Sequence, residues 1–153
     1  RAGTENVPGI VSFGVAARLA RAERAERARR ALAVRERLWA EIARRAAPVV
    51  RLGDPDGLPS TLSLSFPGTR GDALVIALDL QGVAASTGAA CAAGAAEPSH
   101  VLRAIGCDEA VAAGALRLSF GAELTLADAE RAAAIVAACV RRARGAGAVH
   151  DAA

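Results

Sequence analysis

From Val7 to Ala46 nothing in the chain forces a helix to stop, and this stretch constrains everything that follows it. Pro8 falls in the first turn, where its missing N–H would have had no intrahelical partner. Thr4 and Asn6 precede it, and both residue types are suited to cap the helix. Gly9 and Gly14 weaken the early turns, which points to close packing there rather than an exposed surface. Further on, Glu23 with Arg27, Glu26 with Arg30, and Glu41 with Arg45 are i,i+4 pairs in the favourable acid-first order. Leu32, Leu38, Trp39 and Ile42 supply an apolar stripe in the second half. A helix this long, feeding a smaller unit, reads as a spine joining that unit to a larger domain.

The rest of the chain is heavily punctuated. Gly53-Asp54-Pro55-Asp56-Gly57 is a turn cluster. Thr61 to Phe66 alternates with period two and ends at Pro67-Gly68, which predicts a half-buried strand. Gly71 to Gln81 predicts a short helix stopped by Gly82, and Val83 to Ser86 a second short strand. Ser99 caps a helix carrying Val101, Leu102 and Ile105, ended by Gly106. Ala115 to Phe120 predicts a third strand, and Leu124 to Arg144 a last helix with Thr125 as its cap. The tail after Gly145 is expected to fray. The result is an α/β unit of about three strands with helices packed on it.

Composition narrows the function classes. The 153 residues suffice for one domain with a proper core. Phe13, Trp39, Phe66 and Phe120 are all its aromatics, so Val, Leu and Ile must build most of that core. No run approaches the roughly 18 apolar residues of a membrane helix. The acids on the long helix are interleaved with its arginines and net charge is only +3, so this is a solvated face rather than a nucleic-acid surface. No secretory signal is visible, and an opening at Arg1-Ala2-Gly3-Thr4 without methionine reads as part of something longer. All nineteen basic residues are arginine, so no side chain here can form a Schiff base with a carbonyl cofactor. Cys91, Cys107 and Cys139 lack paired metal spacing, and His100 and His150 fall on different elements. Neither a zinc site nor a disulfide framework is expected; free thiols in a reducing, cytoplasmic setting are.

Cys91 stands in a run made almost wholly of Gly and Ala, from Thr87 to Pro98. Such a segment buries little and has few side chains to anchor it, so a thiol at its middle is expected to be exposed and able to travel. Buried cysteines are usually inert small hydrophobes, and Cys107 and Cys139 read that way. On composition alone Cys91 is either a reactive thiol or a chance loop residue.

Four blocks, in order, decide between these. Thr87-Gly88-Ala89-Ala90-Cys91-Ala92-Ala93-Gly94, followed by Glu97-Pro98-Ser99-His100-Val101-Leu102, closely resembles the active-site loop of the NifS/IscS-type cysteine desulfurases. Arg1-Ala2-Gly3-Thr4-Glu5-Asn6-Val7-Pro8-Gly9-Ile10-Val11 resembles an upstream block of the same family. Leu62 to Gly68 is similar to its strand ending in Ser-Phe-Pro-Gly, and Leu116 to Gly121 to its strand with a central arginine. Alanines stand for the commoner serines around Cys91, which removes hydroxyls but keeps the small size.

The resemblance implies a fold and a set of roles. The fold would be the C-terminal small domain of a fold-type I pyridoxal 5'-phosphate (PLP) enzyme, an α/β unit preceded by a long interdomain helix. Residues 1–46 would end the large domain and form that helix; 47–147 would be the small domain with the cysteine loop at 87–98; 148–153 would be a tail. Cys91 would attack the sulfur of the cofactor-bound substrate L-cysteine, keep it as a persulfide, release alanine, and pass the sulfur to an acceptor protein such as an iron–sulfur scaffold. Arg117 would hold the substrate carboxylate, a task suited to a planar guanidinium. Thr4 would hydrogen-bond the cofactor phosphate in the other subunit of a homodimer with shared active sites. The lysine that anchors PLP in the family has no counterpart here, so this chain alone should be inactive. No nucleic-acid or membrane partner is implied. The other readings are a selenocysteine lyase or related class V aminotransferase, and a non-catalytic sulfur-relay or scaffold domain. His100, Arg1 and Asn6 receive no firm role.

Overall fold

A computed structural model describes residues 3–87, 100–121 and 123–150, the last four of these by backbone alone. Eight elements follow in order: α1 (Val7–Arg45), β1 (Val50–Leu52), β2 (Thr61–Ser65), α2 (Gly71–Asp79), α3 (His100–Ala104), α4 (Glu109–Ala113), β3 (Ala115–Ser119) and α5 (Leu126–His150). The strands form one antiparallel sheet in the order β1-β2-β3.

Alternation along β2 and β3 divides the sheet into an apolar and a polar face. Leu62, Leu64, Leu116 and Leu118 point one way and are buried against Val34, Leu38 and Ile42 of α1, Leu74 and Leu78 of α2, and Ala133, Val136 and Val140 of α5. That layer is the main core. On the opposite face Leu102 of α3, Ala112 of α4 and Ala115 of β3 make a smaller cluster, with Leu52 and Cys107 packed against it. The Ser65 hydroxyl donates to the Val111 carbonyl at 2.6 Å, which fixes α4 over this end of the polar face. A lone serine there would otherwise be an unpaired buried hydroxyl.

Helix α1 begins as its sequence requires: the Asn6 side chain accepts from the Gly9 N–H at 3.0 Å, and the proline lies within the first two positions. Asn6, not Thr4, is the cap. Only the second half of α1 is packed; residues 10–22 are exposed throughout. The close packing expected around Gly14 is not found among the described residues, because this part of α1 stands clear of the sheet and its helices. Two arginines close the seams of the fold. Arg35, 4% exposed, donates to the carbonyls of Pro55, Gly57 and Leu58 and so pins the turn between β1 and β2. Arg144 of α5 donates to the carbonyls of Ala46, Ala47, Pro48 and Pro67, tying the last helix to the exit of α1.

Two differences from the sequence expectation have simple causes. The strand expected over Val83–Ser86 is reduced to one bridge, Ser86 to Arg117, since only its last residue reaches β3. The last helix runs on to His150 rather than stopping near Arg144.

Candidate active site

Arg117 sits at the centre of β3, half-buried, on the polar face. The register sets its neighbours. Ser63 of β2 pairs with Arg117 on one side, and Leu52 of β1 pairs with Ser63 beyond it. On the other side Ser86 pairs with Arg117 through two backbone bonds: the Ser86 N–H donates to the Arg117 carbonyl at 3.1 Å, and the Arg117 N–H to the Ser86 carbonyl at 2.7 Å. Directly paired residues of antiparallel strands put their side chains on the same face. A single row across the sheet therefore reads Leu52, Ser63, Arg117, Ser86. The next row towards the open end pairs Thr61 with Ser119. Among the strand residues described on this face, Arg117 carries the one formal charge, with hydroxyls on both sides. An arginine in a row of small hydroxyl residues has the chemistry to take an anion such as a carboxylate.

The other sequence-identified residues are distributed unevenly. Cys91 lies outside the described residues. It follows Ser86, the residue bridged to Arg117, by five positions in the sequence. Thr4 is exposed just ahead of α1. The packed part of that helix begins at Ala31, about 40 Å further on at 1.5 Å per residue. Within one copy of this chain, therefore, Thr4 and Arg117 are not brought together. His100 is exposed at the start of α3. Cys107 is partly exposed at the turn between α3 and α4, and Cys139 is buried in the core, its Sγ facing the Ala77 carbonyl at 3.6 Å. Among the described residues no group of three His, Cys, Asp or Glu could hold a metal, and no helix is long and apolar enough to cross a membrane. Ser63 and Ser86 were not singled out in the sequence. Alternation in Thr61–Ser65 shows that its hydroxyls share a face, but which residue they flank depends on a pairing register that one strand does not specify.

Residues 1–132 match the family described as Aminotransferase class-V. A cysteine desulfurase of Gluconacetobacter diazotrophicus is 40% identical over 145 residues, covering 94% of this chain and 36% of that protein. One from Cereibacter sphaeroides is 44% identical over 132 residues, covering 86% of this chain and 33% of the relative. A cysteine desulfurase IscS of Methanosarcina thermophila is 38% identical over 144 residues, with 94% and 36% covered. Among solved structures, a NifS-like protein superposes with a TM-score of 0.77 at 29% identity, covering 93% of this chain and 36% of that one. A NifS-like protein of Rickettsia africae gives 0.69 at 29% identity, with 90% and 35% covered. The chain thus spans about a third of the length of the proteins it matches. Its fold is that of the corresponding third of NifS-like enzymes, and the chain belongs to the class-V aminotransferase family.

Proposed function

We propose that this chain is the C-terminal part of a PLP-dependent cysteine desulfurase, which converts L-cysteine to L-alanine and takes the sulfur onto Cys91. The observation that carries the reading is the direct pairing of Ser86 with Arg117, in a chain about 40% identical to cysteine desulfurases along 94% of its length. Five residues of chain reach at most about 18 Å, so the nucleophile's segment is tethered to the strand holding the substrate clamp.

The class-V family to which this chain belongs uses PLP, and the residues here meet only part of that cofactor's needs. Its aldehyde requires a primary amine, and the chain has no lysine. What the chain offers is the Thr4 hydroxyl for the phosphate and Arg117 for the carboxylate of the substrate. Bound elsewhere in the protein, the cofactor would supply the electron sink that loosens the substrate's carbon–sulfur bond. Arg117 fixes the amino acid by a bidentate bond to its carboxylate. The Cys91 thiolate then attacks the substrate sulfur: an S–S bond forms, the substrate's C–S bond breaks, and a proton replaces the sulfur to leave alanine. The persulfide is handed to an acceptor protein, such as an iron–sulfur scaffold. The separation of Thr4 from Arg117 supports a homodimer in which each Thr4 serves the opposite active site. A reducing, cytoplasmic setting belongs to the same proposal.

In the full-length protein carrying this sequence, Cys91→Ala should retain PLP and its yellow absorbance while releasing no sulfide from cysteine. Sulfide release at the parent rate would overturn the assignment. The 153-residue chain alone should neither bind PLP covalently nor turn over.

A further inference from the structure

We propose that the outer edge of β1 takes an extended segment of a partner protein as an added antiparallel strand, one that carries an acidic residue between two apolar ones.

The strand register leaves this edge open. The N–H and C=O of Arg117 both bond Ser86, so Arg117 and Ser63 pair without mutual backbone bonds, and Ser63 turns its own groups to Leu52. Alternation along β1 then points the N–H and C=O of Arg51 away from β2. Neither enters a hydrogen bond among the described residues, and the same holds for the backbone of Val49 and Gly53, two residues to either side. An unpaired edge of this kind is a template for an incoming strand. Beside it lies a cavity of about 490 Å³ whose walls include Val50, Leu52, Ile105, Cys107 and Val111. Val50 and Ile105 are 39% and 55% exposed, so the fold leaves apolar surface in water here.

The two sides of the edge select different residues. A residue paired with Arg51 places its side chain on the side of Arg51. Its two neighbours place theirs on the side of Val50 and Leu52, towards the cavity. On the first side the Arg51 guanidinium lies over Trp39, 5.7 Å from the ring centre, and donates to both Glu36 oxygens at 2.9 and 3.1 Å. Arg35 donates to the same carboxylate at 2.9 Å. Two guanidiniums thus share one carboxylate, and the excess positive charge at the edge matches an acidic residue. On the second side the walls are mainly apolar, and Asp108 among them opposes a carboxylate. The order apolar, acidic, apolar satisfies both sides. A second copy of this chain does not, because two such edges paired about Arg51 would set arginine opposite arginine.

Saturation-transfer NMR on the full-length protein, with peptide in excess, tests the proposal. A peptide reading Thr-Val-Glu-Val-Thr should bind with a Kd of roughly 0.1–1 mM, since so short a strand carries little affinity. Methylating the amide nitrogen of its glutamate, which donates to the Arg51 carbonyl, should weaken binding by roughly tenfold or more. Methylating that of either valine, which points away from β1, should cost less than about threefold. Lysine in place of glutamate should weaken binding roughly fivefold at low salt, and serines in place of both valines by a similar factor. Arg51→Gln should erase the preference for glutamate over lysine. Equal binding of the two kinds of methylated peptide, or no preference for glutamate in the parent protein, would overturn the proposal. So would the absence of saturable binding, the result expected where the remainder of the protein already covers β1. A larger oligomer that the peptide disperses would mark a second copy as the occupant and likewise overturn it.

Discussion

A Cβ built on Gly114 would stand 2.4 Å from the Phe66 carbonyl oxygen, and one on Gly71 2.3 Å from that of Ala115. Both obstacles are backbone, held by the strand pairing that aligns Arg117, so they cannot swing aside as a side chain would. Gly114→Ala should cost about 1–3 kcal/mol, read as a lower urea midpoint at unchanged slope. Gly14 is the control: nothing lies within 4 Å of its Cβ position. There alanine should raise helicity and stabilise by up to about 1 kcal/mol. Arg35 makes the opposite case, a buried residue that its charge would seem to disqualify. Its guanidinium reaches three carbonyls and the Glu36 carboxylate at once. Arg35→Ala should destabilise by about 3 kcal/mol in the same titration, and Arg35→Lys should recover less than half, since one ammonium cannot fork to all four acceptors.

Among the elements, α5 shows how closely a local signal can be read. Thr125 and Asp128 cap each other: the Thr125 N–H donates to the Asp128 carboxylate at 2.9 Å, and the Asp128 N–H to the Thr125 hydroxyl at 3.2 Å. Thr125→Ala should cost about 1 kcal/mol by thermal melting. At the far end of α1, hydrogen bonds from Arg44 and then Arg45 hold the Glu41 carboxyl down to about 2, against an ordinary 4.5. A carboxyl with a lowered folded-state pKa stabilises fully above its unfolded value, and that contribution is lost as pH falls. Helicity followed by circular dichroism should therefore decline between pH 4.5 and about 2, and Glu41→Gln should remove part of that decline. The long elements were legible because period and caps agreed along many residues. Strand β1 was not: Val50-Arg51-Leu52 is too short to show alternation, and it becomes a strand only because β2 accepts it. Helix α4 was missed for the same reason, five residues being little more than a turn. At the site, Arg117 was legible through the motif around it. The serines paired with it were not, because both come from segments more than thirty residues earlier in the chain.

At the scale of the whole molecule, α1 is one helix with two environments. From Ala31 onward it packs on the sheet and α5, while Ile10, Val11 and Phe13 stand 59–77% exposed at the other end. Isolated helical turns gain little stability from propensity alone, so tertiary packing sets how long each amide stays closed. In this chain on its own, hydrogen exchange read by mass spectrometry should be faster over residues 10–22 than over 34–42 by roughly tenfold or more. Uniform protection along α1 would show that the helix needs no partner. The same measurement bears on the larger reading. A chain spanning 36% of a desulfurase should leave uncovered the apolar surface that the remainder buries. In the full-length protein, protection over residues 10–22 should rise to the level of 34–42. If it stays low there, the first half of α1 is a free arm and cannot be the spine that joins this domain to a larger one.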